Sequence, residues 1–169
     1  MKPKKPVDPL SGKEAMGRAL DMLSRRWRTA KQIEDKLRER GYDPDVIGQV
    51  LDKLRQWDYV DDGRYAESFV RERIAKGDGA PRSIRRRMRH SGIDPDTAQE
   101  ALEALDEQTQ AALADSLAEK LWRRYEDRKP RRRRDTVSQA MARRGYDWDV
   151  IAASIRKLED APEDGDEAL

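Results

Sequence analysis

Gly41-Tyr42-Asp43-Pro44-Asp45 returns as Gly92-Ile93-Asp94-Pro95-Asp96 and again as Gly145-Tyr146-Asp147-Trp148-Asp149. The intervals are 51 and 53 residues. Eight and four residues ahead of each glycine stand Ile33 and Leu37, Ile84 and Met88, Val137 and Met141. That i, i+4 spacing marks one face of a helix. Behind the glycine, Ile47, Leu51 and Leu54 repeat as Ala98, Leu102, Leu105 and as Ile151, Ile155, Leu158, a second stripe three turns long. A glycine in the left-handed region can close the first helix without steric cost. Tyr42, Ile93 and Tyr146 then drop into the core beside the turn. Asp43, Asp94 and Asp147 suit the N-cap of the next helix, with Pro44 and Pro95 at its first position and Asp45, Asp96 and Asp149 favouring its positive end.

A third amphipathic segment precedes each pair. It reads Met16, Leu20, Leu23 and Trp27 in the first repeat; Tyr65 or Ala66, Phe69, Val70 and Ile74 in the second; and Leu113, Leu117, Leu121, Trp122 and Tyr125 in the third. Thr29 with Gln32 forms a capping box for a second helix, and Pro81 marks the same start after Gly77-Asp78-Gly79. In the third repeat the corresponding turn, Glu126 to Asp135, reads as an enlarged loop filled with arginine. The expected fold is therefore all-α: three tandem three-helix repeats over 14–57, 61–107 and 111–158, flanked by mobile tails at 1–13 and 159–169. Stacked units of this period present an extended surface more often than a closed pocket.

Of the 169 residues, 41% are charged and 36% hydrophobic, with a mean hydropathy of -1.07. Such a chain favours helices carrying one narrow apolar stripe each. There is no cysteine, which excludes disulfides and thiolate chemistry. No apolar run reads as a signal peptide or a membrane span, so a cytoplasmic protein is expected. The net charge of +2 conceals blocks: Asp62 to Arg89 holds nine Lys or Arg against four acids, and Lys120 to Arg134 nine against two. Ser91 to Glu119 holds eight carboxylates and no base, and the last eleven residues hold six carboxylates. If the basic blocks share a face, they form a stripe suited to phosphates.

Catalytic and cofactor readings find little support. His90 is the only histidine; at a helix end it reads as a partner of the last carbonyls or a solvent-facing residue. Asp61-Asp62 could hold Mg²⁺ as paired carboxylates, but a helix N-terminus following Tyr59-Val60 explains them more simply. Gly77-Asp78-Gly79 lacks the Lys-Ser/Thr of a phosphate loop. No catalytic residue, metal or cofactor is expected, and the chain reads as a binding protein.

Two basic segments are candidate binding surfaces. Around the core positions Ile84 and Met88, Arg82, Arg85, Arg86 and Arg89 cover one arc of a helix, with Arg87 nearer the flank. Arg123, Arg124 and Arg128 lead into Lys129, Arg131, Arg132, Arg133 and Arg134, the densest positive charge in the chain. Guanidinium groups fit phosphate through a planar donor fork and contribute salt-sensitive affinity. The alternative is a solvated face neutralised by neighbouring acids. Trp27, Trp122, Phe69 and Tyr125 read as core rather than as a base-stacking platform; Trp57 and Tyr59 could support a contact between repeats.

The segment Leu54-x-x-Trp57-Asp58-Tyr59-Val60-Asp61-Asp62-Gly63-Arg64-Tyr65-Ala66-x-x-Phe69-Val70-x-x-Arg73 resembles the RecX family, regulators of the bacterial recombinase RecA. The likeness continues through Arg82-Ser83-Ile84, Met88 and Gly92-Ile93, and backwards through Arg28-Thr29, Ile33, Leu37 and Gly41-Tyr42. Asp61, Asp62, Arg64, Tyr65, Ala66, Phe69 and Arg73 carry the motif. Asp58 stands where the family usually has glycine, so a tighter or strained turn is expected there; Arg86-Arg87 and Met88 make this second helix more basic than usual. The third repeat is the loosest match.

The resemblance implies an elongated, curved modulator, mainly an inhibitor, that binds the RecA filament on single-stranded DNA. It would reduce strand exchange, ATP hydrolysis and co-protease activity. It also implies RecA and the filament's DNA as partners; weak contact to bare DNA, no membrane and a monomeric state are further expectations. The rival reading is a helix-turn-helix protein using Arg82–Arg89 to read bare duplex DNA.

Overall fold

The computed structural model describes residues 7–103 and 106–160. Leu105, and the parts of the expected tails at 1–6 and 161–169, lie outside the described residues. Among the described residues there are helices and no strand. They run as α1 Gly12–Arg25, α2 Ala30–Arg38, α3 Pro44–Gln56, α4 Asp62–Ala75, α5 Pro81–His90, α6 Pro95–Glu103, α7 Glu107–Arg124, α8 Pro130–Arg144 and α9 Trp148–Asp160. In chain order these are three three-helix repeats. α7 opens at Glu107, ahead of the expected 111, because Asp106 caps it by accepting the Thr109 N–H at 2.7 Å. The chain divides into two compact units, 1–69 with 87–101 and 70–86 with 102–169.

In the first unit, Ile33 and Leu37 of α2 meet Ile47, Val50, Leu51 and Leu54 of α3 in one buried cluster. Tyr42 is buried beside them, and its hydroxyl accepts from Arg18 Nε at 2.8 Å. α1 contributes Ala15 and Ala19 at the cluster's centre. The expected stripe of Met16, Leu20, Leu23 and Trp27 is thus displaced: Met16 and Leu23 flank the core, whereas Leu20 and Trp27 are exposed.

The second unit repeats the plan. Val137 and Met141 of α8 pack with Ile151 and Ile155 of α9 and with Ala114, Ala118 and Leu121 of α7. In α4 the buried residues are Ala66 and Val70. Small residues four apart on α1 and α7 place no bulk between axes, and interaxial distance follows side-chain size at the contact.

Each unit also contains a junction where the glycine ending one second helix meets the start of an earlier one. Gly92, at φ +81°, lies so close to Lys31 in the first turn of α2 that a Cβ there would collide with the Lys31 Cβ. Gly145, at φ +102°, lies against the first turn of α5, where a Cβ would stand 2.9 Å from the Ser83 backbone nitrogen. Gly41 has the same left-handed backbone, at φ +91°, with nothing within 4 Å of its missing Cβ.

Candidate nucleoprotein interface

Every residue of the Asp61–Arg73 motif has an architectural task that the structure makes visible. α3 stops at Trp57, and Asp58 turns the chain through the left-handed region at φ +56°. Glycine would enter that region freely, whereas aspartate does so at a cost, so the strain expected from the sequence is present. Asp61 caps α4: its carboxylate accepts from the Arg64 N–H at 2.9 Å and from Arg64 Nε at 2.8 Å. Those bonds hold its carboxyl below the usual aspartate range.

Asp62 reaches back to α2, accepting from the Ala30 N–H at 2.9 Å. Burial pushes its carboxyl upward, partly offset by that bond. Beside it, Thr29 is fully buried; its hydroxyl accepts from the Gln32 N–H at 3.1 Å and donates to the Ser91 carbonyl at 2.6 Å. Tyr65 and Phe69 stack at 6.3 Å, and Arg73 pairs with Asp78 at 2.9 Å. The Thr29 and Asp62 links carried no sequence signal beyond the capping box, because each joins residues far apart in the chain.

The arginines of α5 are all exposed, but they divide by partner. Arg82 pairs with Asp147 Oδ1 at 2.9 Å, at the start of α9. Arg85, Arg86 and Arg89 form no ion pair among the described residues. His90 is exposed at the helix end.

Arg131 to Arg134 are not in the loop expected from the sequence, although Arg128 and Lys129 do lie in the connecting turn. α8 begins at Pro130, 15 residues before its closing glycine, whereas α2 and α5 each begin 11 before theirs. Arg131 to Arg134 thus occupy an added helical turn and its edge. Proline fits the first position of a helix, which lets the run be helical rather than irregular.

Two of these arginines serve the fold. Arg133 donates through Nε and Nη2 to the Trp122 carbonyl at 3.0 and 2.7 Å, closing the end of α7, and lies 4.3 Å from the Trp122 ring centre. Arg134 meets Glu159 at 3.4 Å. Nearby, Arg128 donates to Thr136 Oγ1 at 2.9 Å and lies 4.9 Å over the Tyr125 ring, while Arg124 approaches that ring at 6.0 Å. Arg123, Lys129, Arg131 and Arg132 are exposed and have no ion-pair partner among the described residues.

This helix start is electrostatically unsatisfied. No side chain caps it at Lys129, and no acid lies in its first turn, although a helix N-terminus favours negative charge. An external anion would answer both the open backbone N–H groups and the guanidinium groups. The α5 and α8 groups are not adjacent. Arg82 abuts Gly145 at the far end of α8 from Arg131, about 20 Å away at 1.5 Å per residue. A small anion could touch one group; an extended polyanion could touch both.

The aromatics required a correction. Trp122, Tyr125 and Phe69 are partly buried, but Trp27 is 62% exposed and Tyr59 57%. Trp57, also exposed, meets Tyr59 edge-on at 6.3 Å. Trp27 and Tyr59 line a groove of about 210 Å³ with Leu23, Arg28, Arg64 and Tyr65, bordered by Asp58 and Asp61. Among the described residues, no helix is long and apolar enough to cross a membrane.

Comparison with known proteins matches residues 15–54 to the first three-helix domain of RecX, 61–102 to the second and 108–155 to the third. The regulatory protein RecX of Levilactobacillus brevis is 32% identical over 91% of this chain and 58% of its own length. That of Bacillus subtilis is 31% identical over 87% of this chain and 56% of its own. The chain thus spans somewhat over half the length of these relatives. The crystal structure of RecX from Lactobacillus salivarius superposes with a TM-score of 0.82 at 32% identity, covering 88% of this chain and 96% of that one. A second crystal structure, of a regulatory protein RecX, gives 0.79 at 34% identity over 86% and 71% of the two chains.

Proposed function

Because the chain belongs to the RecX family of regulatory proteins, we propose that it modulates a RecA-type recombinase, mainly by inhibition. In this reading it binds the filament that the recombinase forms on single-stranded DNA and reduces strand exchange, ATP hydrolysis and co-protease activity. The observation that carries the proposal is the match of all three repeats, in order, to the three RecX domains. The unpaired cations of α5 and α8 supply a physical route. Arg85, Arg86, Arg131 and Arg132 are exposed and have no ion-pair partner among the described residues, and they lie on two regions separated by the length of α8. Several modest contacts on a repetitive target reinforce one another when they can engage together.

The test compares binding to recombinase filament, bare single strand and bare duplex, with filament ATP hydrolysis as the second readout. Binding to filament and slowed hydrolysis are expected. Arg131→Glu with Arg132→Glu should weaken binding and flatten its salt dependence, since fewer counterions are released. Preference for bare duplex with no effect on hydrolysis would replace this reading with the helix-turn-helix one.

A further inference from the structure

We propose that the groove formed by the end of α1, α2 and the α3–α4 turn binds a partner protein through an acidic segment anchored by one aromatic or large aliphatic side chain. Two neighbouring grooves share Arg28 as a lining residue and together form this surface. At one end, Trp27, Tyr59, Leu23 and Tyr65 enclose about 210 Å³ of mainly apolar space. At the other, a second groove of about 280 Å³ is lined by Arg18, Arg25, Arg28, Lys36 and Arg40, with Asp21 as its one acid.

Pairing decides which of these charges are available. Arg25 is engaged by Asp21 at 3.1 Å and Lys36 by Glu39 at 2.7 Å. Arg18 donates to the Tyr42 hydroxyl and has no ion-pair partner among the described residues. Arg40 has no ion-pair partner among the described residues, and Arg28 Nε is buried without a hydrogen-bond partner. Burial, then the charges of Arg26 and Arg25, lower the Arg28 pKa, as expected where positive charge lacks a nearby counterion.

Charge complementarity selects the occupant. The aromatic end is bordered by Asp58 and Asp61, which Arg64 already answers at 3.4 and 2.8 Å. A nucleic-acid strand carries phosphate along its whole length, and at the aromatic end Arg64 is already taken up by those carboxylates. A peptide can seat an apolar side chain between Trp27 and Tyr59 and keep its acids at the Arg28–Arg40 end. Exposed tryptophan and tyrosine beside arginine also form the usual composition of an energetic centre in protein recognition.

The proposal does not depend on the recombinase reading, and its probe contains neither recombinase nor filament. The full ¹⁵N-labelled chain is titrated with a short peptide carrying one phenylalanine followed by a run of glutamates. Parallel titrations use lysine in place of the glutamates, alanine in place of the phenylalanine, and an oligothymidylate. Saturable shifts are expected at the Trp27 indole N–H and along residues 23–28. Trp27→Ala and Arg40→Glu should each weaken binding about tenfold, while Lys13→Glu, the same charge change at the other end of α1, should leave it unchanged. Both groove substitutions are at exposed positions, and unchanged circular dichroism and melting would verify the fold. Equal binding of the lysine peptide, shifts elsewhere, or no saturable shift would overturn the proposal. Displacement of the glutamate peptide from these residues by oligothymidylate would assign the groove to nucleic acid instead.

Discussion

The junction in the first unit and the junction in the second use the same backbone device with different chemistry around it. In both, a left-handed glycine lies on the first turn of an earlier second helix. At Gly92 the contact is reinforced by part-buried polar links: Thr29 to Ser91, and Asp62 to the Ala30 N–H. At Gly145 the neighbouring polar link is the exposed pair of Arg82 and Asp147. The difference follows from two adjacent positions: Thr29, whose hydroxyl bonds Ser91, is matched by Ala80, and Ala30 by Pro81. α2 begins with Ala30, whose N–H needs an acceptor, whereas α5 begins with Pro81, which has none to satisfy. Buried polar groups need partners, so the first junction acquired a network that the second does not require.

The sharpest way to break this comparison is the glycine series. Gly92→Ala should destabilise most, by about 3 kcal/mol or more, since left-handed strain adds to a collision with the Lys31 Cβ. Gly145→Ala should follow, and Gly41→Ala should cost only the backbone strain, about 1–2 kcal/mol. Urea unfolding midpoints would rank the three, and a Gly41 variant as damaged as Gly92 would remove the close-approach argument. Next in size, Thr29→Val keeps the shape but loses the cap and the bond to Ser91; about 2 kcal/mol is expected in the same assay.

A pH dependence sharpens the chemistry of the first junction. Burial raises the Asp62 carboxyl above its ordinary value, so the folded state holds that proton more tightly than the unfolded chain. Its stabilising share is present at low pH and declines as pH rises through the ordinary aspartate value near 3.9 and above. Asp62→Asn retains an acceptor for Ala30 without the charge. Its stability relative to the parent chain should rise between about pH 3.5 and pH 6, and a flat difference in thermal melts across that window would contradict the burial argument. The smallest effect belongs to the second junction: Arg82→Ala should change stability by about 0.5 kcal/mol or less, because the pair is solvent-screened.

The repeat turns were legible because their residue types have mechanisms. Glycine, aspartate and proline at fixed offsets specified the turn, and Asp43 and Asp94 do accept from the amides of Asp45 and Asp96 at 2.9 and 3.1 Å. The second-helix stripe was legible because Ile33, Leu37, Ile84, Met88, Val137 and Met141 are large and periodic, and all are buried. The first helices are legible only in part: Ala66, Val70 and Leu121 are buried as expected, whereas the α1 stripe is displaced. Their centres are alanines such as Ala15, Ala19, Ala114 and Ala118, which a search for bulky apolar spacing passes over. It selected Trp27 instead, a residue past the end of α1 and outside the core. Arg131 to Arg134 look like a loop when aligned with the shorter second helices of the other repeats; four successive cations oppose the dipole of a helix start, but Pro130 and the bonds of Arg133 to the end of α7 outweigh that bias. The partners of Thr29 and Asp62 were hidden because local periodicity carries no information about residues 62 and 32 positions away.

Pro81 has a consequence for the order of the modules. A helix that opens on proline presents no amide to a carboxylate from elsewhere, so α5 cannot replace α2 opposite Asp62 without stranding a half-buried acid. The three modules are therefore not interchangeable links. Shuffling or duplicating them would leave an acceptor without its donor, and the chain's left-to-right sense is written into a single missing hydrogen.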